Sequence, residues 1–207
     1  MKNKSYKRYV FFLGGCDAEM VEIRNILEHN KVRFYDKRLS WGAKLSDYRE
    51  ELDKLGTEDV PVFIELYIDI SPPKNAEIID HHNEKAGKNQ KTAIEQVGEL
   101  LEIELTRKQQ LISANDRGHI RAMQAMCATS DEIEEIRKLD REAQGVTEEE
   151  EKLALESISS AECRNVIRED AVIIYSRTNR TSSVFDRLYN KYRHIFIFTP
   201  DDEFNYA

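Results

Sequence analysis

The sequence predicts an α/β protein with a mostly parallel sheet flanked by helices, then a helical connector and a small second α/β lobe. Over the first 120 residues, short apolar strands alternate with helical segments, an order typical of parallel sheets. The 207 residues, 40% of them hydrophobic, suffice for one sizeable core or for a main domain and a smaller partner. We therefore place the main domain at residues 1–130, the connector at 131–169 and a C-terminal β-α-β lobe at 170–207.

Apolar runs and helical periodicity place the elements. Strands are expected near 8–13, 32–36, 60–69 and 76–80, and helices near 17–29, 45–55, 91–101 and 107–115. Capping boxes at Thr106 with Gln109 and at Thr147 with Glu150 mark two helix starts. The connector is predicted to be helical, and the last lobe to contain strands at 171–175 and 194–198 around a helix over 181–192.

Composition restricts the class of protein. No apolar stretch reaches the roughly 18 residues of a membrane span, and the odd set of Cys16, Cys127 and Cys163 is typical of a reducing compartment, so a cytoplasmic protein with no membrane partner is expected. The net charge of −8 disfavours long duplex DNA as a partner. A small phosphorylated substrate or a short oligonucleotide suits this charge better, and a homo-oligomer is compatible with the sequence.

The tripeptide Asp80-His81-His82 follows the apolar run 76–79. A carboxylate and two imidazoles at the carboxyl end of a buried strand face the crevice where open α/β sheets bind ligands. A divalent metal and a phosphate could meet there. The plain alternative is a turn after a strand, with two histidines that are exposed or bonded to backbone.

Three further acidic positions follow the same order along the chain. Asp17 and Glu19 come after the first strand and a two-glycine turn, although a helix N-cap and a first-turn acid explain both without a metal. Asp69, with Glu65 as its alternative, lies near the end of the third strand before a proline turn. Asp116 precedes a glycine near a helix end, where turn formation with a left-handed Gly118 is the alternative.

These four motifs together resemble the DHH phosphoesterase superfamily, which includes family II inorganic pyrophosphatases, exopolyphosphatases, single-strand exonucleases and nano-RNases. The resemblance implies a DHH-type fold and Mn²⁺ or Mg²⁺ as cofactor. It also implies that the tripeptide is catalytic, with His82 on the phosphate. The metal ligands that it implies are Asp17, Glu19, Asp69, His81 and Asp116.

The last lobe resembles the beginning of the smaller C-terminal domain of many DHH proteins. Its loop from Ser176 to Ser183 is rich in hydroxyl and guanidinium groups and adjoins a helix start, which is a favourable place for a phosphate. We therefore expect Arg177, Arg180 and Ser182 to bind substrate, with an ordinary capped loop as the alternative. Trp41 is expected either to stack on a base or to pack in the core.

The resulting expectation is a metal-dependent phosphoesterase acting on a small phosphoanhydride, a nucleotide or a short oligonucleotide phosphodiester. The chain departs from the family in having Leu13-Gly14-Gly15-Cys16 where a histidine usually precedes the first acidic pair. It also has Glu19 in place of an aspartate and a short second lobe. These departures favour the alternative of a non-catalytic member that binds a nucleotide or serves as an assembly or regulatory subunit.

Overall fold

The computed structural model describes residues 8–82, 90–163, 170–201 and 203–206, with the backbone alone for 162 and 163. Two compact units make up the chain, residues 1–143 and 144–207. The predicted connector is thus divided between the two units. Helix α5 (Ser130–Ala143) packs on the first unit and α6 (Glu148–Cys163) on the second.

The first unit is built on a four-stranded parallel sheet in the order β2-β1-β3-β4. Its strands are β1 (Arg8–Leu13), β2 (Arg33–Asp36), β3 (Asp59–Ile64) and β4 (Glu77–Ile79). The chain leaves β1 towards one edge and returns past it to β3, so the topological switch point lies between these two neighbours. Ligands of open α/β sheets bind in the crevice at the carboxyl ends of such strands.

Both faces of this sheet are covered, which explains the continuous apolar runs of the central strands. Because side chains alternate along a strand, Phe11 and Leu13 face one side and Val10 and Phe12 the other. The first side packs against α1 (Ala18–His29) and α3 (Ala93–Leu101). The second packs against the segment from Ala43 to Leu55, which contains a 3₁₀ turn (Leu45–Tyr48) and α2 (Arg49–Leu52).

The element predictions for this unit differ from the structure at two places that affect the site. The third strand was expected over 60–69 but ends at Ile64, because Glu65 has a φ of 51° and leaves the extended conformation. The helix expected over 107–115 is α4 (Arg107–Ala125), interrupted at Gly118 and His119. The positive φ belongs to His119, at 57°, whereas Gly118 is extended at −167°.

The second unit is a small mixed sheet in the order β5-β6-β7 with two helices. Strands β5 (Ala171–Tyr175) and β6 (His194–Phe198) are parallel as the sequence predicts, and β7 (Phe204–Tyr206) adds an antiparallel strand that was not predicted. Helix α7 (Ser182–Leu188) is shorter than the predicted 181–192. Across the described ranges of both units, no helix has the length and apolar character to span a bilayer.

Candidate metal centre

The end of β1 is held against the end of β3 by a close backbone approach. Gly14 N–H donates to the carbonyl of Ile64 at 2.9 Å. A Cβ on Gly14 would lie 2.6 Å from the carbonyl oxygen of Glu65, closer than real Cβ contacts occur. Gly15 follows with a φ of 92°. The two glycines therefore provide the close turn that brings the chain into α1 beside β3.

The start of α1 points two carboxylates towards this crevice. Asp17 is the N-cap, and its Oδ1 accepts a hydrogen bond from Met20 N at 2.8 Å. Its Oδ2 is buried without a hydrogen-bond partner. Glu19 uses Oε1 to accept from Ile94 N at 3.1 Å, and its buried Oε2 faces His81 Nε2 at 3.3 Å without a well-directed hydrogen bond. Each carboxylate thus has one oxygen in a structural bond and one turned to the crevice.

Glu65 enters the same crevice from the end of β3. Its left-handed backbone is sparsely populated by non-glycine residues, and such conformations cluster at functional sites. Glu65 N–H donates to the carbonyl of Ile79 at 2.9 Å, which fixes this bend against the end of β4. Its Oε1 lies 3.3 Å from Nε2 of both His81 and His82. The bend therefore places a carboxylate between the two imidazoles.

The tripeptide after β4 turns back over the strand ends. Asp80 Oδ1 accepts from His82 N at 3.0 Å, which is the turn that the plain alternative anticipates. His81 is only 8% exposed, and its Nε2 lies 2.7 Å from Asp116 Oδ2 and 3.3 Å from Glu19 Oε2. Asp80 is therefore a turn residue beside the site, and His81 lies at its centre.

Asp116 reaches the site from α4, two residues before the helix is interrupted. Its neighbour Asn115 is buried and accepts from Arg137 Nη1 at 2.9 Å. The same guanidinium nitrogen donates to Asp140 Oδ2 at 2.7 Å. Helix α5 thus holds the turn of α4 that carries Asp116. The sequence reasoning missed this network, although Arg137 and Asp140 follow Ile133 and Ile136 at helical spacing on the buried face.

We call the side chains that meet here the His81 cluster. Two triads within it have ligand atoms within 4.8 Å of one another, and both contain His81. One triad is completed by Glu65 and His82, the other by Glu19 and Asp116, and Asp17 adjoins them. The cluster thus consists of Asp17, Glu19, Glu65, His81, His82 and Asp116.

The His81 cluster contains more buried carboxylates than imidazoles, and this excess determines its pKa shifts. Burial alone lowers the pKa of His81, but the carboxylates around Nε2 outweigh burial and raise it to about 12. Burial and the neighbouring carboxylates raise the pKa of Asp17 to about 7. Burial likewise raises the pKa of Glu19. Four carboxylates face two imidazoles, so two protonated rings could not balance the charge of all four carboxylates when they are ionised.

Glu65 and His82 stabilise each other's charged forms. Burial raises the pKa of Glu65. The two imidazoles, 3.3 Å from Oε1, lower this pKa by a larger amount, so the net shift is downward. The Glu65 carboxylate in turn raises the pKa of His82. Unlike His81, the His82 side chain is partly exposed and faces a cavity.

Asp69, expected as a metal ligand, lies outside the His81 cluster. Its carboxylate accepts from Ser46 N at 3.0 Å and from Ser46 Oγ at 2.6 Å on the surface. Because β3 ends at Ile64, the position at the strand end belongs to Glu65, the alternative considered for this motif. Asp69 instead fastens the segment after Gly42 to the segment after β3. Cys16 belongs to neither of the triads found among the described residues.

The expected phosphate-binding residues belong to the second unit. Arg177 forms an ion pair with Glu156 at 2.9 Å, and Arg180 lies 3.9 Å from Glu150, so both guanidinium groups face glutamates of α6. Ser182 begins α7, a helix of seven residues. The loop is also tied within the unit, since Arg177 N–H donates to Ser157 Oγ at 2.9 Å.

The His81 cluster has the side chains needed to bind a cation. Carboxylate oxygens and imidazole nitrogens crowded together in a buried crevice are the ligand atoms of transition metal sites. Comparison with models of protein families, with curated proteins and with solved structures finds no match to this chain.

Proposed function

We propose that this chain is a metal-dependent phosphoesterase of the DHH type. Its substrate is a small phosphoanhydride, a nucleotide or a short oligonucleotide phosphodiester, and its cofactor is Mn²⁺ or Mg²⁺. The support from sequence is the order of the acidic motifs around Asp80-His81-His82. The support from structure is that most of these motifs meet at the carboxyl edge of the parallel sheet.

One observation carries the proposal. Buried polar atoms are nearly always hydrogen-bonded, and each exception needs an explanation. Six of the nine buried side-chain atoms that lack a well-directed hydrogen bond in the described chain belong to the His81 cluster. The single proton on His81 Nε2 cannot satisfy three carboxylates, although Asp116 Oδ2 is only 2.7 Å away. A cation that accepts several lone pairs at once explains them together.

Of the two proposed ions, the donor set fits Mn²⁺ better than Mg²⁺. Carboxylate oxygens with imidazole nitrogens suit Mn²⁺, whereas Mg²⁺ and Ca²⁺ favour oxygen alone and structural zinc favours thiolate and imidazole. Glu19 and Asp116 would hold the ion on the α1 and α4 side, and Glu65 on the β3 side. His81 would complete the shell from the end of β4. Asp17 Oδ2 is the further acidic donor beside them.

The chemistry divides between the ion and the chain. A bound divalent ion polarises a phosphoryl oxygen and lowers the pKa of water, so that attack in line becomes feasible at neutral pH. The carboxylates orient the site and supply the negative charge that retains the ion. His82, which is partly exposed, would hold the phosphate from the cavity side. Arg177 and Arg180 stay candidates for binding the rest of the substrate.

A non-catalytic nucleotide binder is the second candidate, and the β1–α1 turn favours it. A histidine usually stands shortly before the first acidic pair in the family, whereas Gly14 here has no space for a side chain and Cys16 joins neither triad. A second ion would therefore have few ligands on this side. A binder would keep the affinity for metal and nucleotide and would lack turnover.

Hydrolysis by the metal-stripped chain, restored with Mn²⁺, tests the proposal. The substrates are pyrophosphate, a dinucleotide and long single-stranded DNA. We expect turnover of a small substrate, little on long DNA, and none without added metal. Glu65→Gln should lower kcat by more than the roughly 10–100-fold that is lost on removing a residue hydrogen-bonded to a metal ligand.

Glu58→Gln is the matched control, because it removes an exposed carboxylate just before the same strand, outside the cluster. It should retain the parent's kcat. Equal losses in both variants would remove the Glu65 assignment. Binding of Mn²⁺ without turnover on any substrate would favour the binder.

A further inference from the structure

A cavity of about 550 Å³ opens beside the His81 cluster. Glu65 and His82 line both the cavity and the cluster, so the two spaces are continuous. The remaining wall is largely apolar and includes Trp41, Tyr67 and Ile78. This volume lies within the range of small-molecule sites, roughly 300–1,000 Å³.

The aromatic wall is exposed although the backbone that carries it is held by hydrogen bonds. Trp41 is 55% and Tyr67 is 66% exposed, which is high for side chains that usually gain stability from burial. Trp41 sits in a tight turn closed by a bond from Ala43 N to Ser40 O at 3.2 Å, with Gly42 at a φ of 83°. The indole is therefore presented to the cavity by a defined turn.

A second set of bonds fixes this turn to the chain after β3. Tyr67 N–H donates to the carbonyl of Ala43 at 2.8 Å, and Leu45 N–H donates to the carbonyl of Tyr67 at 2.9 Å. The pair of bonds from Ser46 to Asp69 extends this attachment. Asp69 thus contributes to the aromatic wall by holding its two segments together.

Trp41 lies next to the imidazole that joins cavity and cluster. The Trp41 and His82 rings have centroids 5.7 Å apart and an interplanar angle of 75°, an edge contact, and the Trp41 side chain stays more than half exposed. His82 Nε2 is 3.3 Å from Glu65 Oε1 in the cluster. A molecule with its phosphate at the cluster would therefore carry its next group past His82 towards Trp41.

The charge of the cavity restricts which chemical group of a substrate can bind there. Among the described residues, its lining contains no lysine or arginine, and it includes the carboxylates of Glu65 and Asp80. A further phosphate or a polyphosphate chain would be repelled here. A flat uncharged ring matches the apolar aromatic wall, because each of the nucleobases has a π-face that can stack on an indole.

We propose that this cavity binds the nucleobase of a nucleotide substrate, stacked on Trp41, while its phosphate lies at the His81 cluster. The inference rests on the proposed function and narrows it, because it favours nucleotides and short oligonucleotides over pyrophosphate and polyphosphate. Trp41 is then a residue that determines substrate specificity.

Calorimetric titration with adenosine monophosphate and with ribose monophosphate, each with Mn²⁺ present, tests this inference. The two probes share sugar and phosphate and differ in the base. The parent should bind the nucleotide about tenfold more tightly, the lower part of the range for stacking one base. Since the chain has one tryptophan, quenching of its fluorescence by the nucleotide reports contact with Trp41 directly.

Three variants make the test specific. Trp41→Leu keeps apolar bulk without an aromatic face and should remove the preference for the nucleotide, whereas Trp41→Phe should keep most of it. Tyr175→Leu removes an aromatic side chain that is 59% exposed in the second unit and should change nothing. Equal affinity of the parent for both probes, or a full preference in Trp41→Leu, would overturn the inference.

The same titrations separate this inference from the proposed function. Binding of Mn²⁺ and of both probes with equal affinity would contradict the base site alone. Failure to bind Mn²⁺ would contradict the metal centre, and a Trp41-dependent preference for the nucleotide would then still support the cavity. No binding of metal or nucleotide would contradict both.

Discussion

The carboxylate of Asp140 accepts a hydrogen bond from the backbone N–H of Ala18, at 3.2 Å, and so connects helix α5 to the residue between Asp17 and Glu19. Its other oxygen accepts from Arg137, whose guanidinium also holds Asn115 beside Asp116. One buried ion pair therefore supports both segments that carry acids of the His81 cluster. Such outer partners orient the ligands of metal sites.

Substitutions in the Arg137–Asp140 ion pair should change the free energy of unfolding and the affinity for Mn²⁺ by amounts that can be measured independently. Asp140→Leu removes the carboxylate that accepts from the buried Arg137 guanidinium at 2.7 Å, so we expect the free energy of unfolding to fall by about 3–5 kcal/mol. Arg137→Met combined with Asp140→Leu should restore most of that stability, since an apolar pair of similar volume is tolerated. The double variant should still bind Mn²⁺ about 10–100-fold more weakly than the parent.

Urea denaturation and calorimetry make the two measurements. Lys138→Met with Glu142→Leu replaces an exposed ion pair on the same helix and is the matched control, expected to change neither quantity greatly. Parental Mn²⁺ affinity in the restored double variant would show that the network supports the fold and not the site.

Asp17→Asn should stabilise the metal-free protein at neutral and higher pH. The pKa of Asp17 is about 7 in the folded chain against 3.8 in the unfolded state, so ionisation opposes folding as pH rises from 4 to 7 and fully above 7. Asparagine caps a helix equally well and carries no charge. We expect a gain of order a few kcal/mol at pH 8 and little change at pH 4.

Urea denaturation of the metal-free protein at these two pH values measures that gain. Asp53→Asn, at an exposed acid that ends α2, is the control and should shift neither value. A loss of stability on Asp17→Asn at pH 8 would mean that the carboxylate is compensated in the fold. Weaker binding of Mn²⁺ by the same variant would add Asp17 to the ligands.

Binding of Mn²⁺ should release protons. The pKa of about 12 keeps His81 protonated at neutral pH in the metal-free chain, and Nε2 must lose its proton to bind an ion. We expect about one proton released per ion above pH 7, with affinity rising about tenfold per pH unit. Below pH 7 the release should approach two if Asp17 also binds the ion.

Calorimetry in buffers of different ionisation enthalpy counts these protons. His82→Gln leaves His81 in place and should still release about one proton above pH 7. Affinity that does not change with pH would exclude His81 Nε2 as a ligand.

Gly14→Ala should destabilise the first unit and weaken the site together. The new methyl group would lie 2.6 Å from the Glu65 carbonyl and 3.0 Å from that of Ile64, and backbone must move to accept it. We expect a loss of about 1–3 kcal/mol in the free energy of unfolding, typical of overpacking. Gly42→Ala, where no atom lies within 4 Å but φ is 83°, separates the cost of backbone conformation from that of crowding.

Much of the first unit follows from sequence periodicity, because its central strands are buried on both faces and its helices carry clear caps. In this unit the bounds of β1 agree with the expected strand, and the box from Thr106 to Gln109 caps α4; in the second unit, β5 and β6 also have the expected bounds. Local propensity did not reveal that Glu65 would take a left-handed conformation and end β3. That bend depends on packing of β3 against Gly14 and β4.

The site was predictable where its residues adjoin strand or helix ends. His81 and Glu19 meet because β4 and the turn from β1 into α1 end at the same edge of the sheet, and α4 brings Asp116 to that edge. Asp69 does not meet them, since the strand ends at Ile64. The Arg137–Asp140 network joins positions that are far apart in the chain, and no local pattern specifies which helix α5 contacts.

Titration of Mn²⁺ into the metal-stripped chain, followed by calorimetry and by thermal unfolding, tests the metal centre most directly. Because His81 belongs to both triads and one imidazole nitrogen binds one ion, we expect about one tight ion per chain and a melting temperature that rises with Mn²⁺. His81→Ala should abolish both effects, whereas His29→Ala, at an exposed histidine that ends α1, should leave them intact. If the parent shows no binding, or if His81→Ala binds and melts as the parent does across the titration, the His81 cluster is not a metal centre.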